Sequence, residues 1–378
     1  GGHIMKVVIA IDSLKGSLSS MDAGNAIKDG ILKAVDAEVI VKPLADGGEG
    51  TTDALIEGMG GERISLSVKG PLETPVDAYY GYLEESNTAI KEMATASGIT
   101  LIPREALNPM KATTYGVGEM IKDAIRRGIR NFIIGIGGSA TNDGGTGMLT
   151  ALGYEFLDAD GQPVGFGGQC LEKIVSISAE NKLAELDECH FRIACDVENP
   201  LCGSTGATYI YGPQKGASDD LLPLLDSGMQ NYGHAAEAFT GKHMMEMKGA
   251  GAAGGLGFAF VTFLNGELKS GIDLILNAVD LEGSLKDADF VITGEGRLDR
   301  QTAMGKGPAG VAKLGKKYGA KTIALAGSVT EDARACNAAG IDGYFCILSS
   351  VCTLEEAMDA ERTRKNLSLT AEQLFRLL

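Results

Sequence analysis

The chain of 378 residues is too long for one simple core, on a scale of about 100 to 200 residues per domain, and its 44% hydrophobic share supports a fully folded, soluble protein. A formal net charge of −16 without any long Lys/Arg cluster argues against a partner chosen for its phosphate backbone, such as nucleic acid. Seven cysteines, an odd number with no C-x-x-C pair, suggest neither a disulfide framework nor a zinc site and point to a reduced, cytoplasmic home.

Gly1-Gly2-His3-Ile4 reads as an expression scar (1–4) ahead of Met5, and the strand pattern from Lys6 leaves no signal peptide. No apolar run reaches the length of a membrane span. The β-branched run 7–11 predicts a strand, followed by the polar loop 12–17 and a helix carrying Ala23, Ala26, Ile27, Ile31 and Ala34. Ser19 with Asp22 three residues later resembles a capping box, so this helix should begin near Ser20. The unit repeats as a strand over 38–41, a glycine-rich loop over 45–50 and a helix over 51–57.

After Gly60 the character changes. The runs 64–68, 76–80 and 88–92 alternate or pair like antiparallel strands, which sets a domain boundary near Gly70. A helix over 113–127, strands over 132–136 and 191–195 and an apolar helix over 252–263 follow. From Ala288 the β-loop-α rhythm returns, with strands over 290–293, 322–326 and 344–348 and helical patterns such as 309–317. The two ends of the chain therefore predict one discontinuous Rossmann- or flavodoxin-like domain, 5–69 and 285–378, around an inserted α/β domain, 70–284, that contains a mixed sheet. Five parallel strands in the order 2-1-3-4-5 put the switch point between the first and third, so the loop 12–17 should lie beside the loop 294–306 in a crevice facing the inserted domain.

The loop after the strand ending at Thr293 is the most chemically loaded stretch. It holds two acids, Glu295 and Asp299, and three cations, Arg297, Arg300 and Lys306, among glycines, a composition able to hold a metal and an anion together. The loop 135–147 follows a strand, opens a helix and carries Ser139, Thr141 and Thr146 among six glycines, so its backbone N–H groups suit phosphate or carboxylate oxygens. Residues 249–254 match G-x-G-x-x-G, yet 244–248 make a poor buried strand before them, and the glycines allow close approach either to an anion or to another helix. No Walker A sequence exists, since Met304-Gly305-Lys306-Gly307 lacks its hydroxyl residue and upstream glycine, and protein-kinase signatures are absent too. Asp46 ends a strand where a carboxylate either holds Mg²⁺ or caps the next helix. Asp196 is a turn former or, in a crevice, a general base. His3, His190, His234 and His243 lie outside every glycine-rich loop, and no G-x-S-x-G elbow supports Ser-His-Asp chemistry.

Five blocks in order carry a resemblance: Asp12-Ser13-Leu14-Lys15-Gly16, the run 43–51, the run 137–145, Ala194-Cys195-Asp196-Val197-Glu198-Asn199-Pro200-Leu201, and Thr293-Gly294-Glu295-Gly296-Arg297-Leu298-Asp299. Over essentially its whole length from Met5 the chain resembles the bacterial glycerate kinase type 1 family. The resemblance implies a two-domain enzyme that transfers the γ-phosphoryl of ATP to D-glycerate with Mg²⁺, at the 2-hydroxyl, acting on small molecules as a monomer or homodimer. Glycine-rich anion nests, a metal and a few cations are what phosphoryl transfer needs. The implied roles are Asp196 as general base, Lys15, Ser13, Arg297 and Lys306 as holders of glycerate carboxylate or phosphate, Gly137, Gly138 and Ser139 as a phosphate cradle, and Asp46 and Glu295 as Mg²⁺ ligands. Closure around substrate would exclude water. The competing readings are a kinase forming 3-phosphoglycerate, a nicotinamide oxidoreductase resting on 249–254, and a non-catalytic glycerate sensor.

Overall fold

The structure, a computed structural model, describes residues 2–305 and 307–378, so the phosphate-binding expectation at Lys306 lies outside the described residues. Among these, thirteen strands follow in chain order: β1 Met5–Ile11, β2 Ala37–Pro43, β3 Glu62–Lys69, β4 Pro75–Leu83, β5 Thr88–Glu92, β6 Asn131–Gly135, β7 Glu155–Leu157, β8 Ser176–Ser178, β9 His190–Ala194, β10 Glu267–Lys269, β11 Phe290–Leu298, β12 Lys321–Val329 and β13 Gly343–Cys346. The chain folds as two compact units. The first takes residues up to Asp46, Asp53–Gly61 and Ile272–Leu378, and the second takes Gly47–Thr52 and Glu62–Gly271.

The first unit is built on a five-stranded, all-parallel sheet in the order β13-β12-β11-β1-β2. Numbered within the sheet this is 2-1-3-4-5, the flavodoxin-like order that the β-loop-α rhythm predicts. β1 earns no polar face: Val7, Val8, Ile9, Ala10 and Ile11 are all fully buried, as a central parallel strand covered on both sides requires. The helix Ser20–Ala34 begins where Ser19 accepts a hydrogen bond from the Asp22 N–H. Its apolar face, Ala23, Ala26, Ile27 and Ile31, packs with Leu367, Ala371 and Phe375 of the helix Ala360–Phe375 over one side of the sheet. Burying a side chain such as Ile27 stabilises by about 1.5–3 kcal/mol. Ala312 of the helix Gly307–Lys317 lies with Leu298, Ala324 and Ala326 in a second cluster.

Two sequence expectations change here. β11 does not end at Thr293 but continues to Leu298, because β12 pairs with it through Gly294↔Leu325, Glu295↔Ala326, Arg297↔Ser328 and Leu298↔Val329. That ladder overrides the low strand propensity of Gly294 and Gly296, so Glu295 and Arg297 sit on a strand rather than in a loop. The division between units also falls elsewhere than at 69/70 and 284/285. β3 pairs with β4 along its whole length, from Glu62↔Tyr82 to Lys69↔Pro75, and so belongs to the second unit, while residues 272–284 belong to the first.

The second unit carries a mixed six-stranded sheet in the order β10-β9-β6-β5-β4-β3, in which β10, β9, β6 and β5 run parallel and β4 and β3 complete an antiparallel meander. Phe132 and Phe191 stack at 4.8 Å between ring centroids, and Phe258, Phe260 and Tyr232 extend this core. β7 and β8 form a separate two-stranded ribbon. Among the described residues, no helix is long and apolar enough to cross a membrane.

Candidate active site

Each unit carries several of the candidate residues at the carboxyl ends of its parallel strands, where open α/β sheets bind ligands. In the first unit the Asp12 N–H, just past β1, donates to the Gly294 carbonyl of β11 at 3.0 Å. The loop 12–17 and the end of β11 are thus neighbours, as the strand order predicts. The Asp12 carboxylate accepts from the Ser13 N–H at 2.7 Å. Burial pushes its pKa up to about 7, and the negative charges of Asp46 and Glu295 push the same way, against that Ser13 N–H and the cation of Lys15. Asp12 was not assigned a role from sequence; the available signal was an acid placed directly after the apolar run 7–11.

Glu295 accepts from the Thr302 hydroxyl at 2.6 Å, and Asp299 accepts from the Gln301 N–H at 2.9 Å, so the turn after β11 is held from within. Arg297 is exposed and lies 3.7 Å from the Asp299 carboxylate. Arg297 and Arg300 line a surface hollow with Thr330 and Asp332. Lys15 and Asp46 are exposed and Ser13 is half-buried. Among the described residues, no group of three or more His, Cys, Asp or Glu side chains is gathered closely enough to hold a metal ion by itself.

In the second unit, β6 and β9 end together at the pair Gly135↔Ala194, so the segments carrying Gly137 and Asp196, each two residues further on, leave the sheet at the same end. Asp196 is exposed, and its Oδ1 accepts from the Gly271 N–H at 3.1 Å. On the next strand Glu92, paired with Gly135, is buried and accepts from the N–H groups of Gly50 and Thr52 at 3.1 and 3.0 Å. It therefore fixes the glycine-rich loop 47–52 at the same end of the sheet.

The loop after β6 divides in two. Gly137 and Gly138 are exposed, whereas residues 139–149 are buried. Fully buried Asp143 accepts from the Thr114 N–H and hydroxyl at 2.8 and 2.9 Å and from the N–H groups of Gly145 and Gly147 at 2.9 and 3.2 Å. Burial raises its pKa and these four hydrogen bonds oppose the rise. The expectation that the backbone N–H groups of the whole loop 135–147 suit an anion is narrowed accordingly: those of Gly145 and Gly147 serve the chain's own carboxylate, and the exposed part is Gly137 and Gly138, with Ser139 buried just behind them.

Lys215 was missed by sequence reasoning. It is 3% exposed, and its Nζ donates to Ser139 Oγ and the Thr141 carbonyl, both at 2.7 Å. Burial pushes its pKa down to about 7, with Asp143 pulling the other way. Nothing in the polar stretch around it marks it as buried, because the cover comes from residues distant in sequence.

The glycine run 249–254 proves to be a packing device. Ala253, Gly254 and Gly255 are left-handed, and a Cβ on Gly254 would meet the Thr141 carbonyl oxygen at 2.0 Å. The Gly144 N–H donates to the Gly254 carbonyl at 2.8 Å. Residues 244–248 form no strand, so the dinucleotide fingerprint lacks its context and the oxidoreductase reading loses its ground.

A sequence model of the Glycerate kinase family matches residues 7–378. The chain is 45% identical over 370 residues to a glycerate kinase of Bacillus subtilis (strain 168), covering 96% of this chain and 97% of the relative. It is 45% identical over 354 residues to a glycerate 2-kinase of Escherichia coli (strain K12), covering 93% of each. A crystal structure from Salmonella typhimurium LT2, provisionally named glycerate kinase 2, superposes with a TM-score of 0.91 at 41% identity, covering 99% of this chain and 98% of that one. With the two-unit α/β architecture and the residues assembled at its strand ends, these similarities establish that the chain belongs to the glycerate kinase family.

Proposed function

We propose that this glycerate kinase transfers the γ-phosphoryl group of ATP to the 2-hydroxyl of D-glycerate, giving 2-phosphoglycerate and ADP, in the cytoplasm and as a monomer or homodimer. The observation that supports the reading is that the segments carrying Asp196 and the Gly137 turn leave the neighbouring strands β9 and β6 at the same end of the sheet. In this reading the Asp196 carboxylate accepts a proton and the exposed Gly137–Gly138 turn supplies N–H groups for phosphate oxygens. The name of the Escherichia coli relative supports the 2-hydroxyl.

Asp196 takes the proton of the attacking hydroxyl. Gly137, Gly138 and Ser139 cradle phosphate, while Lys15, Ser13 and Arg297 hold glycerate carboxylate or the transferring group; Lys306 is assigned with them from sequence. The acids of the first unit fit Mg²⁺: Asp12 is driven toward its neutral form first by burial and then by the negative charges of Asp46 and Glu295, and a divalent cation relieves that second contribution. Mg²⁺ is commonly held by one or two carboxylates with substrate phosphates and water completing its shell, so three gathered protein ligands are not required. Asp46 and Glu295 would hold it, and it would neutralise charge on the phosphates.

D-Glycerate-dependent ADP release tests the proton acceptor. Asp196→Asn is expected to lower kcat by about 10²- to 10⁴-fold with ATP binding unchanged. Near-wild-type turnover would remove Asp196 from that role.

A further inference from the structure

Lys215 carries a buried amino group whose acceptors are neutral. Ser139 Oγ and the Thr141 carbonyl take two of its three N–H groups, and among the described residues no carboxylate makes an ion pair with it. Asp143, the charged group acting on it, is engaged by four hydrogen bonds of its own. In the same loop Thr141 Oγ1 and Asn142 Oδ1 are buried without a hydrogen-bond partner. An ammonium removed from water without a counter-ion is unfavourable, and an arriving anion relieves that cost.

The geometry says where such an anion would be felt. Ser139 accepts from Lys215, so its own O–H remains to be donated, and it directly follows the exposed, unobstructed Gly137 and Gly138. A hydroxyl that receives a charged donor becomes a better donor itself. We propose that Lys215 is a positioning residue of the glycerate kinase reaction, which acts through the Ser139 hydroxyl to hold an anionic oxygen of a substrate at the Gly137–Gly138 turn. The inference rests on the reading of that turn as an anion cradle. The oxygen belongs to a carboxylate or to a phosphate, and the kinetics distinguish the two.

The test is steady-state kinetics of the full chain with D-glycerate and ATP varied separately, for wild type, K215M, K215Q, S139A and K215M/S139A, with melting temperatures measured alongside. K215Q keeps an N–H donor for Ser139 and Thr141 while removing the charge, so it preserves a purely structural tie and covers the case in which K215M fails to fold. K215Q, K215M and S139A are each expected to raise the KM of one and the same substrate about tenfold or more, leaving the other KM unchanged. The double variant should be no worse than either single one, since both residues act on one contact. A rise in the glycerate KM assigns the oxygen to the carboxylate; a rise in the ATP KM assigns it to phosphate. If S139A raises a KM while K215Q and any folded K215M do not, Lys215 has no such role and the cradle reading survives. If S139A leaves both KM values unaltered, the cradle reading falls and the inference with it.

Discussion

The Thr302 hydroxyl donates to Glu295 Oε1 at 2.6 Å, which ties a carboxylate on β11 to the first turn beyond the strand. Thr302 is itself fully buried, so this donor holds a fixed orientation. Partners of this kind set metal ligands in place, and losing one costs about 10- to 100-fold in affinity or activity. Thr302→Val should therefore raise the Mg²⁺ concentration needed for half-maximal turnover by that order. A Mg²⁺ dependence that does not move would take Glu295 out of the metal's ligands.

Lys15 is exposed, yet its cation acts on Asp12 at the end of β1. Lys15→Ala should raise the KM for D-glycerate or lower kcat by about tenfold or more, as expected for a charge-assisted hydrogen bond. Kinetics with both parameters unaltered would end its assignment as a substrate holder.

Asp12 sets a pH dependence of stability. Its carboxyl is raised from 3.8 to about 7 in the folded protein, so between those values the folded chain keeps a proton that the unfolded chain releases. The stability this contributes is complete below pH 3.8 and is lost as the pH rises through about 7. Asp12→Asn should flatten the fall in melting temperature across that window. An equally steep fall in the variant would show that other groups cause it.

Gly254 should tolerate no side chain. Its left-handed backbone costs an L-residue about 1–2 kcal/mol, and the collision with the Thr141 carbonyl adds about 1–3 kcal/mol of overpacking. Gly254→Ala is expected to destabilise by about 2–5 kcal/mol in urea unfolding. A variant of wild-type stability would contradict the packing role and reopen the glycine run as a ligand site.

Much of the first unit is legible in the sequence because each strand, loop and helix there announces itself locally, by β-branched runs, glycine-rich connections and the Ser19 cap. The order 2-1-3-4-5 follows from that rhythm. What depends on distant partners is not legible. The extension of β11 to Leu298 needs β12, and the allegiance of β3 needs β4, neither of which a local pattern reports. Lys215 reads as an ordinary surface lysine until Ser139, 76 positions away, is seen to accept from it. The glycine run 249–254 was ambiguous because a close approach to an anion and one to a backbone ask for the same residue; the Thr141 carbonyl decides it.

A ³¹P NMR time course of the protein with ATP, Mg²⁺ and D-glycerate tests the proposed reaction most directly, since it reports turnover and the position of the new phosphate ester together. A growing 2-phosphoglycerate resonance, matched by conversion of ATP to ADP, is the predicted result. A 3-phosphoglycerate resonance would overturn the placement of the 2-hydroxyl at Asp196, and an unchanged ATP spectrum would contradict the proposed transfer itself.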